Sequence, residues 1–97
     1  MTIERDDDLL KKIAILEEEV GQLRRAVVSH AVIDQAIGVV ISHGRLLPDE
    51  GWNVLRTVSQ NTNTKLRLIA EQIVQWPHSG RLPEDIQRAL KAALARA

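Results

Sequence analysis

The chain has no cysteine, phenylalanine or tyrosine among its 97 residues. Without cysteine, neither a disulfide nor a cysteine-based zinc site can stabilise the fold. Without phenylalanine and tyrosine, an RNA-recognition-motif sheet, which stacks bases on aromatic side chains, is effectively excluded. Thirteen basic and thirteen acidic residues cancel, so the net charge indicates no nucleic-acid partner. A domain of about 60 residues within such a chain is marginal by itself, and oligomerisation is a common remedy.

Proline is scarce too, and Pro48, Pro77 and Pro83 separate segments with helical periodicity. No apolar run approaches the roughly 20 residues of a membrane span. The acidic N-terminus lacks the apolar region of a signal peptide. We therefore expect a small, cytoplasmic, all-α protein.

Residues suited to catalysis or metal binding are few. His30, His43 and His78 lie far apart and lack the short spacing of metal ligands. Ser29 and Ser42 each precede a histidine, but neighbouring residues on a helix do not face each other. The five glycines are scattered, so no glycine-rich phosphate loop is present. We predict no enzyme activity, no metal site and no cofactor.

Residues 3–28 have the hydrophobic repeat of a coiled coil. Apolar residues alternate at spacings of four and three and occupy the d and a positions: Leu9, Ile13, Leu16, Val20, Leu23 and Val27. β-Branched residues at a, with leucine at d, favour two parallel strands. We predict that this seam is the interface of a parallel homodimer. An amphipathic helix packed on its own domain is the alternative.

Charged residues flank the seam. Lys12 and Glu19 occupy g positions, and Glu17 and Arg24 occupy e positions. A parallel dimer brings Lys12 to the partner's Glu17 and Glu19 to the partner's Arg24, which are attractive pairs. An antiparallel dimer also matches opposite charges, so charge alone leaves the orientation open.

The first helix is predicted to run from about Ile3 to Ser42. His30 and Asp34 take the next d and a positions, so we expect the seam to loosen there. An apolar face follows, formed by Ile33, Ala36, Ile37, Val40 and Ile41. Ala36 and Gly38 are small and permit the close approach of another helix. Gly44 suits a left-handed helix cap.

Two further helices are predicted before residue 77. Pro48 fits the first position of the second helix, whose core side we assign to Trp52, Leu55, Val58 and Ser59. A core or interface role is favoured for Trp52 and Trp76, and base stacking is the alternative. We expect Asn63 to cap a third helix over Thr64–Trp76. Its buried stripe comprises Leu66, Ile69, Ala70, Ile73 and Val74.

Residues 77–97 form a linker and an amphipathic helix that starts at Pro83. Its apolar stripe comprises Ile86, Ala89, Leu90, Ala93 and Leu94. The stripe must be buried on the module, on the coiled coil or on a protein partner, and the sequence leaves these open.

Basic residues are unevenly distributed. Residues 1–20 hold three basic and seven acidic side chains, and residues 21–97 hold ten and six. Arg56, Lys65 and Arg67 lie on either side of the break before the third helix, where Ser59 and Asn63 can hydrogen-bond base edges in an unpaired RNA loop. The alternatives are ordinary ones: a helix cap for Asn63, helix packing for Ser59 and solvated charges for the rest.

Three runs in fixed order carry a resemblance: Val32–Val40 (VIDQAIGVV), Leu55–Ser59 (LRTVS) and Asn63–Ala70 (NTKLRLIA). Together, residues 28–76 resemble the ANTAR domain, a three-helix RNA-binding module of bacterial antitermination regulators. The resemblance assigns residues 29–76 to that module. Two positions depart from the family's pattern. Ile37 replaces a basic residue, and Gly51-Trp52 replaces alanine followed by an aromatic residue.

The resemblance implies a dimeric regulator that binds a pair of stem-loops in nascent mRNA and prevents a terminator hairpin from forming. It places RNA contacts at Lys65 and Arg67. One alternative is a coiled-coil interaction subunit that docks a protein partner through the C-terminal stripe and binds no RNA. A helix-turn-helix DNA-binding protein is disfavoured, because Thr64–Trp76 is basic only at its start.

Overall fold

The computed structural model describes the backbone of residues 2–97 and the side chains of residues 6–97. These residues form four helices and no strand: α1 (Thr2–Gly44), α2 (Pro48–Thr62), α3 (Leu66–Ser79) and α4 (Glu84–Arg96). The all-α prediction is confirmed. The side chains of residues 3–5, in the predicted coiled-coil segment, lie outside the described part. The molecule measures 67 Å by 24 Å by 24 Å, because α1 extends beyond the other helices.

The hydrophobic core lies between the second half of α1 and helices α2 and α3. Its most deeply buried side chains come from all three helices: Ala36, Val40, Leu55, Val58, Ile69, Ala70 and Ile73. Helix α4 packs against α2 and buries Ile86, Leu90 and Ala93. The C-terminal stripe is therefore covered within the chain.

Helix α1 ends at a left-handed residue, but the glycine prediction is wrong. Arg45 has the left-handed conformation, with φ of 55°. The backbone N–H of Leu46 donates to the carbonyl of Ile41 at 3.1 Å, which closes the helix in a Schellman-type turn. Gly44 instead lies close to α4, since a Cβ added there would be 2.9 Å from Leu94 Cδ2.

Helices α1 and α2 approach closely at Gly51. A Cβ at this position would lie 2.9 Å from Ile41 Cγ1 and 3.3 Å from Ile37 Cγ2. Gly51 and Val54 are buried, whereas Trp52 is 38% exposed. The assignment of Trp52 to the core side is therefore wrong. Because Gly51 has no side chain, α1 can lie close to α2 at this point. Trp52 lies at the edge of this contact.

The turn between α2 and α3 is also organised differently from the prediction. Asn63 is left-handed, with φ of 52°, and its backbone N–H donates to the carbonyl of Gln60. It therefore closes α2 rather than capping α3, which begins at Leu66. Short polar side chains such as asparagine tolerate the left-handed region, which explains why Asn63 stops one helix instead of starting the next.

Helix α3 runs past its predicted end at Trp76 and includes Pro77 in its last turn. A proline in the last turn keeps a helical φ and removes one hydrogen-bond donor. Gly80, with φ of 70°, ends the helix and donates from its backbone N–H to the carbonyl of Trp76 at 2.7 Å.

By length and composition, α1 could cross a membrane, since its most apolar 18-residue window has a mean hydropathy of 1.4. The sequence expectation concerned an uninterrupted apolar run, which this criterion does not require. One helix of this kind is weak evidence of a membrane span, and 11% of its window is buried within the chain.

Candidate nucleic-acid interface

The five residues predicted to contact RNA lie along α2 and across the turn into α3. Arg56, Asn63, Lys65 and Arg67 are exposed, and Ser59 is half-buried. About 10 Å of helix separates Arg56 from the turn, at 1.5 Å per residue. The turn then places Lys65 and Arg67 at the start of α3. We call this surface the basic corner, defined by Arg56, Ser59, Asn63, Lys65 and Arg67.

Ser59 holds the turn together. Its hydroxyl donates to the carbonyl of Thr64, and the hydroxyl of Thr62 donates to the carbonyl of Val58 at 2.7 Å. A hydroxyl that donates once keeps its oxygen lone pairs as acceptors. Ser59 therefore has a structural role and retains the capacity to accept a hydrogen bond from a base.

The start of α3 is suited to anions. The carbonyl of Lys65 accepts hydrogen bonds from the N–H groups of Leu68 at 2.9 Å and Ile69 at 3.1 Å. The N–H groups of Leu66 and Arg67, which open the helix, have no partner within it. The first turn of α3 carries no acidic side chain, so the positive end of the helix dipole is not neutralised there.

One ion pair touches the basic corner. Arg67 Nη1 lies 3.5 Å from Glu71 Oε1, and both side chains are about half exposed. An exposed pair at this spacing contributes roughly 0.3–0.5 kcal/mol, so a phosphate can replace Glu71 at little cost. Within residues 6–97, no carboxylate lies within 4.0 Å of Arg56 or Lys65.

Trp52 adjoins this surface, where the sequence favours a core or interface role for it and leaves base stacking as the alternative. Trp52, Arg56 and Ser59 follow one another at spacings of four and three, which places them on one face of α2. The other tryptophan has a different environment. Trp76 is half-buried, and its ring centroid lies 4.7 Å from that of His43.

Gly38 does not support the close helix approach that was predicted for it. A Cβ at Gly38 would meet nothing within 4 Å, because the residue faces an open groove of about 660 Å³ between α1 and the end of α3. In residues 6–97, no group of three histidine, aspartate or glutamate side chains could hold a metal ion.

Comparison with known families matches residues 21–74 to the ANTAR domain. The matched segment begins inside the coiled-coil seam and ends in α3, so it contains the whole basic corner and omits α4. No curated protein and no solved structure matches the chain.

Proposed function

Because the chain belongs to the ANTAR-domain family of RNA-binding antitermination regulators, we propose that it is a dimeric antiterminator that acts in the cytoplasm. In this proposal it binds paired stem-loops of nascent mRNA and prevents a terminator hairpin from forming. The observation that carries the proposal is the family match over residues 21–74, which includes the basic corner.

The basic corner is the proposed RNA-binding site. Lys65 and Arg67 contact RNA phosphates beside the N–H groups that open α3. Arg56, which lies one to two helical turns before the end of α2, contacts the RNA backbone. Ser59 and Asn63 offer hydrogen bonds to an unpaired loop base. Single-stranded loops are the usual targets of sequence-specific RNA readers, because their bases are accessible.

The dimer is supported by the exposed seam. The six seam side chains are 42–68% exposed in the single chain. Burial of one such side chain contributes about 1.5–3 kcal/mol relative to full exposure, so a second copy of the seam supplies a large driving force. β-Branched residues at a and leucine at d favour a parallel pair, in which both modules would lie at one end of the coiled coil. Two linked sites then bind two stem-loops with greater avidity than either site alone.

The interaction-subunit alternative loses its proposed docking surface. Ile86, Leu90 and Ala93 of the C-terminal stripe are 3–7% exposed, because they pack against the rest of the chain. A partner could reach this stripe only by displacing α4 from α2.

A gel-shift series tests the proposal. The probes are an RNA pool carrying two short hairpins with randomised loops, the same pool with one hairpin, and a duplex DNA of equal length. We expect selection from the two-hairpin pool to enrich particular loops, and binding of the enriched RNAs to weaken as salt rises. Absence of hairpin binding at low salt would reject the proposal. A preference for the duplex DNA would instead favour the helix-turn-helix alternative.

A further inference from the structure

We propose that Trp52 is a base-stacking residue that extends the basic corner along α2. This inference rests on the proposed RNA-binding function and names the group that holds an unpaired base. The indole of Trp52 provides the stacking surface, and Arg56, Lys65 and Arg67 provide charge for the phosphates on either side of that base.

The helical geometry places Trp52 with the corner. At 3.6 residues per turn, Trp52, Arg56 and Ser59 fall within roughly 60° of the helix circumference and about 10 Å of its length. The buried side of α2 carries Gly51, Val54, Leu55 and Val58, and its centre lies roughly 120° around the helix from these three residues. Trp52 therefore lies on the exposed side of α2 with Arg56, at its boundary with the buried side, where Leu55 is roughly 60° away.

The burial pattern indicates that Trp52 is not needed to complete the core. Leu55 and Val58 are fully buried, while Trp52 keeps 38% of its surface exposed. The chain has no phenylalanine or tyrosine, so a base that stacks on a large aromatic ring has only two candidates. Trp76 is the weaker candidate, because its ring already packs against His43.

Stacking on an aromatic side chain suits an RNA loop. The bases of such a loop are splayed out of the stem. Removal of an aromatic ring on which one base stacks weakens binding by roughly 5- to 100-fold. Stacking also tolerates different bases, since every base has a π-face. Hydrogen bonds from Ser59 and Asn63 would then supply the discrimination that stacking lacks.

A second copy of the chain is the competing occupant. Ile37 and Ile41, which lie against Gly51, continue the d and a register of the seam beyond His30 and Asp34. Trp52 therefore borders the line along which a partner helix would continue. The charged character of its own face, with Arg56 one turn away, favours RNA over an apolar partner surface.

Fluorescence separates the two occupants, because Trp76→Phe leaves Trp52 as the sole tryptophan in a chain without tyrosine. We expect an enriched two-hairpin RNA to quench the emission of this variant. The matched variant, Trp52→Phe, should show little change. Trp52→Leu should bind the RNA about 5- to 100-fold more weakly, and Trp52→Phe should retain most of the affinity.

The salt dependence gives a readout that a merely structural role would not produce. Trp52→Leu removes no charge, so the slope of log K against log salt should equal that of the parent. Unchanged RNA affinity in Trp52→Leu, without quenching in Trp76→Phe, would overturn the proposal. The proposal would also be overturned if Trp52 emission changed on dilution without RNA and Trp52→Leu dimerised more weakly than the parent. A parent chain that binds no hairpin RNA would instead mark failure of the proposed function.

Discussion

The two halves of α1 form one uninterrupted helix but have opposite relations to solvent. In the first half, the apolar residues from Leu9 to Val28 are 42–68% exposed. In the second half, Ala36 and Val40 are at most 1% exposed, because α2 and α3 fold back over them. The second half thus completes its core within the chain. The first half has an equally regular apolar stripe and nothing in the described chain to cover it.

The largest expected effect comes from the exposed half. Replacing Leu16 and Leu23 by alanine should cost about 2–5 kcal/mol for each residue if a second copy buries the seam. Sedimentation equilibrium should then show monomer or unfolded chain. Ile15→Ala is the matched control, because Ile15 is 56% exposed and lies off the seam. A stable dimer of the double variant would exclude the seam as the interface.

The second-largest effect is expected in the folded module formed by the second half of α1 with α2 and α3, against which α4 packs. Leu90 is 3% exposed, so Leu90→Ala should lower the free energy of unfolding by about 2–5 kcal/mol. Lys91→Ala, on the exposed side of the same helix, should stay within about 0.5 kcal/mol of the parent. Thermal melts at a fixed protein concentration provide the measurement. Equal melting temperatures for the two variants would show that α4 contributes nothing to the module.

A smaller effect is expected at the RNA surface. Changing Lys65 and Arg67 to alanine should flatten the slope of log K against log salt by roughly 1.4–1.8, at 0.7–0.9 for each phosphate contact. Helix content and dimerisation should be retained, because both side chains are exposed. Lys91→Ala serves again as the control. If the double variant binds hairpin RNA like the parent at every salt concentration, the site lies elsewhere.

The smallest effect is expected from alanine substitutions at two glycines, Gly38 in α1 and Gly51 in α2. Gly38→Ala should stabilise the protein by up to about 1 kcal/mol, because alanine favours helix and its Cβ would meet no neighbour. Gly51→Ala should lose that gain or reverse it, because its Cβ would lie 2.9 Å from Ile41 Cγ1. Urea unfolding curves should separate the two variants. A stabilisation of equal size would mean that α1 and α2 adjust without strain.

The sequence predicts the helices well and their ends less well. The buried stripes of α3 and α4 follow from 3.6-residue periodicity, which depends only on which residues are apolar. The ends depend on tertiary neighbours and on local closure. Gly44 packs against Leu94 and leaves the left-handed position to Arg45, and Asn63 closes α2 instead of opening α3.

The residue types of the candidate site could be read from the sequence, but its extent along α2 could not. Periodicity assigns Trp52 to the core because tryptophan is large and apolar, while Gly51 gives no signal of its own. In the structure Gly51 is buried and Trp52 is exposed, because close contact with α1 requires a residue without a side chain. The spacing of Trp52 and Arg56 is readable from the sequence, but the contact at Gly51 is what favours stacking over a core role for Trp52.

The position of Gly51 also determines how far two copies of α1 can run side by side. Counting on from Val27, the d and a positions fall on His30, Asp34, Ile37 and Ile41. The last two lie against Gly51 of their own chain. In the parallel dimer that we propose, α2 would occupy the line of the seam at Ile37 and Ile41, so the paired helices would have to separate before Ile37. The separation of the two proposed RNA-binding surfaces would then depend on how α2 packs against α1 in each copy.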